Sequence, residues 1–537
     1  MARTPILRSL IQLRRDLDAS RLTGIPLDEL RDMRAQRWRG FSRRQILGGV
    51  AAGAAVLALP RGLRAATQPT VAIVGGGIAG LTCALTLRDK GYASTVYEVS
   101  GRVGGRMFSN RSGYFAGGQV SEWCGELIDT GHHTVRNLAA RFSLPLDDLL
   151  GAEPNKSTET YYFNGRYYAK TDADADFHNI LGVLRADVDG AGYPTLYNSF
   201  TPTGFALDQM SIYDWIETRV PGGRGAPLGQ LLDTAYNIEY GADTRDQSAL
   251  NLVYLLGFQP TATRLDIFGA SDERFHIRGG NEQLPEAIAS NLGPSTVKTG
   301  YRLVRLKQTS GSRYVLTFDR AGGTFETTVD FVVLAIPFAT LADVDTAQAG
   351  FDALKKKAIA QLGRGHNGKL HLQFDTRGWL GSGPWPGIAN GSSYSDTGYQ
   401  ASWEVSRAQA GTPGILVQYS GGSVTDAMRT TSAFATASDP RVVQDAGRGL
   451  AQFAPVYPGL AWNGKATQSL PHKSPFFNNS YSYWKVGQYT SFSGYEGVAQ
   501  GSVYFCGEHT SQDFQGFMEG GASTGKATGT ALIKLLG

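Results

Sequence analysis

Two short apolar runs, each broken at once by glycine, stand near opposite ends of the chain: VAIV at 71–74 before GGGIAG, and VYFC at 503–506 before Gly507. The first run is β-branched and suits a central parallel strand. Residues 81–90 then read as a helix packed back on it, and 94–97 as the next strand. The second run, too, reads as a strand that turns through glycine into a helix. Between these ends, 330–337 (DFVVLAIP) closes a β-rich stretch. The segment 146–271 begins with the aromatic YYFNGRYY and becomes mostly helical, as in MSIYDWIETRV at 210–220. In KLHLQF, 369–374, Leu370, Leu372 and Phe374 fall on one side and Lys369, His371 and Gln373 on the other, the alternation of a half-buried strand. By that pattern alone Lys369 is a solvated lysine. Glycine and proline clusters near 380–392 and 410–422 predict loops. No internal repeat is evident.

The first glycine turn has a chemical reading. Gly75, Gly77 and Gly80, with Ala79 among them, fill the positions of a dinucleotide fingerprint. Gly75 permits the tight turn, Gly77 lets backbone amides approach a pyrophosphate, and Gly80 lets the helix pack on the strand. The anion then sits on the helix N-terminus. Glu98 ends the second strand, where an acceptor for ribose hydroxyls is expected.

Residues 98–106 read EVSGRVGGR. This acid, three residues, Arg, any residue and Gly-Gly-Arg resembles the flavin-containing amine oxidase family, which includes monoamine, polyamine and L-amino-acid oxidases. FHIRGGNEQLPEAIASNLG at 275–293 and Gly507, Glu508 and GFMEGGASTG at 516–525 are similar to further family segments, so the resemblance covers nearly all of the chain from about residue 70. It implies an α/β fold: an FAD-binding Rossmann-like domain of the glutathione-reductase type (67–145, 272–345 and 486–537) interleaved with an α+β substrate-binding domain (146–271 and 346–485), after a leader at 1–66. FAD would be held by Gly104 and Gly105 through close backbone approach, by Arg102 and Arg106 at the diphosphate, and by Glu508 at the ribityl or phosphate region. The helix from Met518 would stabilise the negative charge that develops on the flavin pyrimidine.

The same resemblance changes the reading of Lys369. It implies a lysine bridged through water to flavin N5, helping electron transfer to oxygen. It also implies an aromatic cage, with Tyr489 of WKVGQY as one wall and Phe517 as the other. Gln488 precedes Tyr489 where some relatives carry the cysteine that links the flavin, so FAD is expected to be non-covalent. The implied reaction removes hydride from the α-carbon of a neutral amine, gives an imine that hydrolyses, and returns electrons to oxygen as hydrogen peroxide. An L-amino-acid oxidase is the nearest alternative and would need a buried arginine, which the sequence does not identify. A desaturase or porphyrinogen oxidase, and a non-catalytic flavoprotein, lie further off.

Composition agrees with two interleaved domains: 537 residues, 42% hydrophobic. The net charge of +4 belongs to the leader, since residues 1–64 carry 13 of the 51 basic and 5 of the 47 acidic residues. The body is slightly acidic and gives no reason to expect nucleic acid. Arg43-Arg44 before the apolar stretch 46–60, with the small residues of 63–66 after it, reads as a twin-arginine export signal, implying the translocation machinery as partner and a periplasmic or secreted location. The stretch is too short and weakly apolar to span a bilayer comfortably. Cys83, Cys124 and Cys506 form no CxxC pair, and His132, His133, His366 and His371 lack the usual ligand spacing, so neither a disulfide framework nor a metal is expected. The oligomeric state stays open, a homodimer included.

Overall fold

In the computed structural model, which describes residues 69–536, the first apolar run is strand β1 (Val71–Val74), with all four residues buried. It is followed by helix α1 (Ile78–Arg88) and strand β2 (Thr95–Tyr97). The helix starts three residues earlier than its apolar pattern indicates, because Ile78, Ala79 and Gly80 of the glycine turn are already its first turn. Gly80 allows this: a Cβ there would lie 2.0 Å from the Gly75 carbonyl oxygen. β3 (Val297–Lys298), β4 (Phe331–Leu334) and β5 (Val503–Phe505) join β1 and β2 in a five-stranded sheet, order β5-β4-β1-β2-β3, parallel throughout. After β2 the chain thus leaves this sheet three times and returns each time to place a strand beside an older one.

Helix α2 (Met518–Leu536) closes the unit by lying on α1. Gly521, Gly525 and Gly529 form the contact stripe. A Cβ on Gly525 would sit 2.1 Å from the Ala79 carbonyl oxygen, so the two helices meet backbone to backbone. This brings the N-termini of α1 and α2 to the same cavity.

The second sheet is larger and mostly antiparallel, with Asn367–Phe374 between Trp462–Ser469 and Gly414–Gly421. Gly414–Gly421 falls inside the stretch predicted as a loop, and Ala389–Ser395 overlaps the other one. The glycines there mark strand ends, and the buried ILV run between them lacks alternation because both of its faces are covered. Asn367–Phe374 does alternate, yet every residue in it is buried. Leu370, Leu372 and Phe374 pack on Val442, Ala446 and Phe453 of the helix Pro440–Phe453. The other face carries Lys369, whose cross-strand partner is Tyr419. The same row continues through Ala401 to Tyr394. The export signal, with Arg43 and Arg44, lies outside the described residues.

Candidate active site

A cavity of about 1270 Å³ runs from the glycine turn to that row. At one end, Gly75 has φ +107°, and a Cβ on it would meet the Ala335 carbonyl at 2.6 Å, so the turn requires glycine. Gly77 and Ala79 face the cavity, and a Cβ on Gly77 would find no neighbour closer than 3.9 Å. Gly80 is the packing residue beneath and does not line it. Glu98 is buried. Its Oε2 accepts from the Gly76 amide at 2.7 Å and its Oε1 from the Ser100 amide and hydroxyl at 2.9 and 2.8 Å. A carboxylate offers about four acceptor sites, so capacity remains for a ribose hydroxyl.

Gly104, Gly105 and Arg106 line the cavity, whereas Arg102 does not. Arg102 donates to the Gly105 and Val103 carbonyls at 2.6 and 3.0 Å, with its guanidinium 3.7 Å over the Phe108 ring. Its role is corrected from diphosphate contact to bracing the Gly-Gly loop from behind, where a fork that spans two carbonyls is needed. Glu508 lines the cavity with its oxygens already engaged by Arg106 Nη1 at 3.0 Å, the Gly516 amide at 3.0 Å and the Ser482 hydroxyl at 3.1 Å. It therefore aims Arg106 and ties the closing turn, acting on any cofactor through them.

Lys369 is the clearest departure from the solvated reading. Its Nζ donates to Glu126 Oε2 at 2.6 Å, to the Cys124 carbonyl at 2.7 Å and to the Glu122 carbonyl at 3.4 Å. The other Glu126 oxygen accepts from Trp403 Nε1 at 2.9 Å. Burial pushes the Glu126 carboxyl up, but the Lys369 ammonium outweighs it and holds the group below the usual carboxylate range. All three Nζ donors have protein acceptors, and the 3.4 Å contact is the one a water would displace. His371, two residues on, is driven to about 3 by burial and the Lys369 charge, so it is neutral.

Phe517 and Met518 line the cavity at the mouth of α2. Tyr489 does not. Its ring packs 4.4 Å from Trp484, its hydroxyl donates to Asn251 Oδ1 at 3.0 Å, and its amide is held by Asp208. It is a core residue of the helical region, and the expected cage wall at Tyr489 is corrected. Tyr481 stands in that place. It lines the cavity, its ring edge lies near Gly516 beside Phe517, and its hydroxyl meets the Tyr419 hydroxyl at 3.0 Å and donates to the Ile238 carbonyl at 2.9 Å. The residue before it is Ser480. Gln488 instead donates to the Gln361 carbonyl at 2.6 Å. Tyr481 was legible as an aromatic of YSYW, but nothing in one sequence ranks it above Tyr489. Glu126 gives no local signal at all.

The cavity fits a large polar cofactor. His509 and Gln515 line it, and both nitrogens of the one and both amide atoms of the other are buried without a partner among the described residues. Such orphans call for a polar group in the space between them. With the open approach at Gly77 and the remaining acceptor of Glu98, the site suits a dinucleotide that carries FAD chemistry. Away from it, His366, Asp426 and His472 bring possible ligand atoms within 4.8 Å of one another, a grouping their sequence spacing hides.

The profile of flavin-containing amine oxidoreductases matches residues 78–533. Among curated proteins, YobN of Bacillus subtilis (strain 168), named as a candidate L-amino-acid oxidase, is 25% identical over 86% of this chain and 95% of its own. Nicotine dehydrogenase of Pseudomonas putida is 23% identical over 93% and 98%. Among solved structures, cyclohexylamine oxidase from Brevibacterium oxydans aligns with TM-score 0.72 at 17% identity, over 87% of this chain and 99% of that one. Putrescine oxidase bound to putrescine aligns with TM-score 0.70 at 18% identity over the same shares. At such identities the structures speak for the fold: an FAD-binding Rossmann-like domain with a second sheet-bearing domain.

Proposed function

Because this chain belongs to the flavin-containing amine oxidoreductase family, and is with it an FAD-dependent enzyme acting on amines, we propose that its cavity oxidises an amine to an imine with oxygen as final acceptor. The imine then hydrolyses to a carbonyl compound, and oxygen leaves as hydrogen peroxide. The observation that carries this is a single cavity joining the dinucleotide turn, the buried Lys369 and two aromatic side chains, Tyr481 and Phe517. FAD, when bound, supplies the acceptor for the hydride and its two electrons.

The chain's own residues do the rest. Tyr481 and Phe517 offer aromatic faces whose quadrupole favours the positive charge developing at the amine carbon, and their apolar bulk excludes water. The Tyr419 hydroxyl fixes Tyr481 in place. Lys369 places a positive charge at the floor, where it favours reduced, negatively charged oxygen species, and Glu126 holds its ammonium in position. No cysteine precedes Tyr481. The Cys124 thiol, which does line the cavity, is pushed by burial up to about 11, which disfavours the thiolate and supports a non-covalently held FAD. A peroxide-coupled screen of amines and amino acids on the purified holoenzyme tests the reading. Peroxide from amines is expected, and its absence with every amine would overturn it.

Export by the twin-arginine route belongs to the same proposal. A protein that loads FAD in the cytoplasm is best exported folded, and the Arg43-Arg44 pair supplies the address. Arg43→Lys with Arg44→Lys should retain the protein in the cytoplasm with its FAD intact; undiminished periplasmic recovery would refute this. Among the described residues no helix is long and apolar enough to cross a membrane.

A further inference from the structure

Three neighbouring strands of the second sheet reach one end of it together, and the residues just beyond them carry chemistry that amine oxidation does not use. Asn367 opens the central strand and pairs with Gly421, the last residue of Gly414–Gly421. On the other side Lys369 pairs with Ser469, the last residue of Trp462–Ser469. His366 immediately precedes the central strand. Asp426 ends the short helix Gly422–Asp426 that follows the second strand, and His472 lies in the turn Pro471–Lys473 after the third. The topology therefore delivers two imidazoles and a carboxylate to one place. None of the three lines the cavity, although their chain neighbours Asn367 and Pro471 do.

The distances suit ligands of one ion. A nitrogen from each ring and one carboxylate oxygen lie within 4.8 Å of one another. His366 Nδ1 is 2.8 Å from Asp426 Oδ1, and His472 Nε2 is 4.0 Å from the same oxygen. Ligands held about 2.0–2.1 Å from a tetrahedral ion stand about 3.3 Å apart, a spacing that these two distances bracket. Closure asks only for a small shift of Asp426, whose side chain is 55% exposed.

His472 is a second, independent observation. Its side chain is 8% exposed, its Nδ1 is buried with no partner among the described residues, and 4.0 Å is too long for a hydrogen bond from Nε2. A buried ring that spends no hydrogen bond on the protein around it calls for another partner. It stacks on His366 at 4.4 Å and 15°. Two protonated rings would repel at that distance, so at least one is neutral, the form that binds a metal. Lys473, next in sequence, donates to the Met428 and Thr430 carbonyls at 3.2 and 2.6 Å and so is directed away from Asp426.

We infer that His366, Asp426 and His472 form a zinc site that clips the ends of these three strands together, with water as the fourth ligand on the exposed side. Two imidazole nitrogens and one carboxylate oxygen suit zinc, whereas magnesium and calcium take oxygen donors. The ion's role is structural, since its ligands stand behind the cavity wall: it fixes the start of the strand that carries Lys369.

The test titrates Zn²⁺ into the holoenzyme, prepared without a histidine tag, stripped with EDTA and dialysed. One equivalent per chain should bind, and saturation should raise Tm by about 2 °C or more. His472→Gln and Asp426→Asn should each weaken binding by about tenfold or more, with flavin content confirming that the variants are folded. His178→Gln, at an exposed histidine of the helix Lys170–Ala191, should leave binding unchanged. Zinc-edge X-ray absorption of the wild type needs no variant and should show scattering from two imidazoles per zinc. Wild-type protein that binds no zinc, undiminished binding in a folded His472→Gln, or an absorption spectrum without imidazole scattering would overturn the inference.

Discussion

Lys369 and Glu126 meet at 2.6 Å although 243 residues of chain separate them. The lysine stands on the second sheet and the glutamate on the loop that follows the Gly-Gly turn, so this bond fastens the floor of the cavity to its cofactor end. Both side chains are buried. Such a pair adds little against an apolar substitute, yet removing one partner strands the other charge, at a cost of about 3–5 kcal/mol.

Lys369→Met should accordingly do two separable things. It should lower stability by about 3–5 kcal/mol, and it should slow reoxidation by oxygen more than anaerobic reduction by amine. Adding Glu126→Gln removes the stranded charge and should restore most of the stability without restoring reoxidation. Denaturant titration and stopped-flow measurement of each half-reaction decide it. Wild-type rates in both halves would remove Lys369 from oxygen chemistry.

Tyr481→Ala and Tyr489→Phe should differ in kind. The first removes a cavity wall and should depress kcat/KM for amines by one to two orders of magnitude, about 1.4–2.8 kcal/mol, with FAD still bound. The second deletes one buried hydroxyl and should cost about 1 kcal/mol of stability with kinetics nearly unchanged. Steady-state kinetics beside thermal unfolding reads both. The reverse pattern would restore Tyr489 as the wall.

Gly525→Ala should yield little holoenzyme, because its Cβ would lie 2.1 Å from the Ala79 carbonyl oxygen and force α2 away from α1. Gly447→Ala is the control. That glycine sits on the exposed side of Pro440–Phe453 with nothing within 4 Å of a Cβ, and the change should stabilise by about 0.5–1 kcal/mol. Flavin absorbance per protein and Tm compare the two, and a fully loaded Gly525→Ala protein would contradict the packing described.

The contribution of the Glu239 carboxyl to stability should fall as pH rises from about 4.5 to about 7, against the opposite slope set by the buried neutral His371 and His509. A carboxyl raised to about 7 in the fold keeps its proton over that window while the unfolded chain loses it, so folding is favoured at the acid end and the advantage fades through pH 7. Glu496, also raised to about 7 by burial, and Asp129, raised to about 6, share this slope. Glu239→Gln should flatten it by no more than about 1.4 kcal/mol per pH unit. Denaturant midpoints across that range measure it, and identical slopes in variant and wild type would show that the Glu239 carboxyl is not raised in the fold.

Much of this site is readable from local chemistry. The fingerprint glycines and Glu98 follow from short-range patterns whose physical demands are met within a turn or two, whereas Arg106 and the Met518 helix came with the family resemblance. Lys369 required the resemblance, because alternation gives a face and not what covers it. That face turned out to be covered by the Cys124–Glu126 loop. Arg102 and Glu508 have the right residue types, but their donors and acceptors are spent on protein partners that a motif does not reveal. Tyr489 failed for a different reason: two tyrosines eight residues apart look equivalent until folding buries one against Trp484 and turns the other into the cavity. The predicted loop at 410–422 became a strand because burial on both faces erases alternation.

Anaerobic titration of the holoenzyme with an amine, followed by admission of air, tests the central claim most directly. Bleaching of the flavin absorbance in proportion to amine, then full recovery with one hydrogen peroxide formed per flavin reoxidised, is the predicted result. A flavin left oxidised by every amine, or bleached by amino acids alone, would contradict an amine-oxidising site built on Lys369, Tyr481 and Phe517.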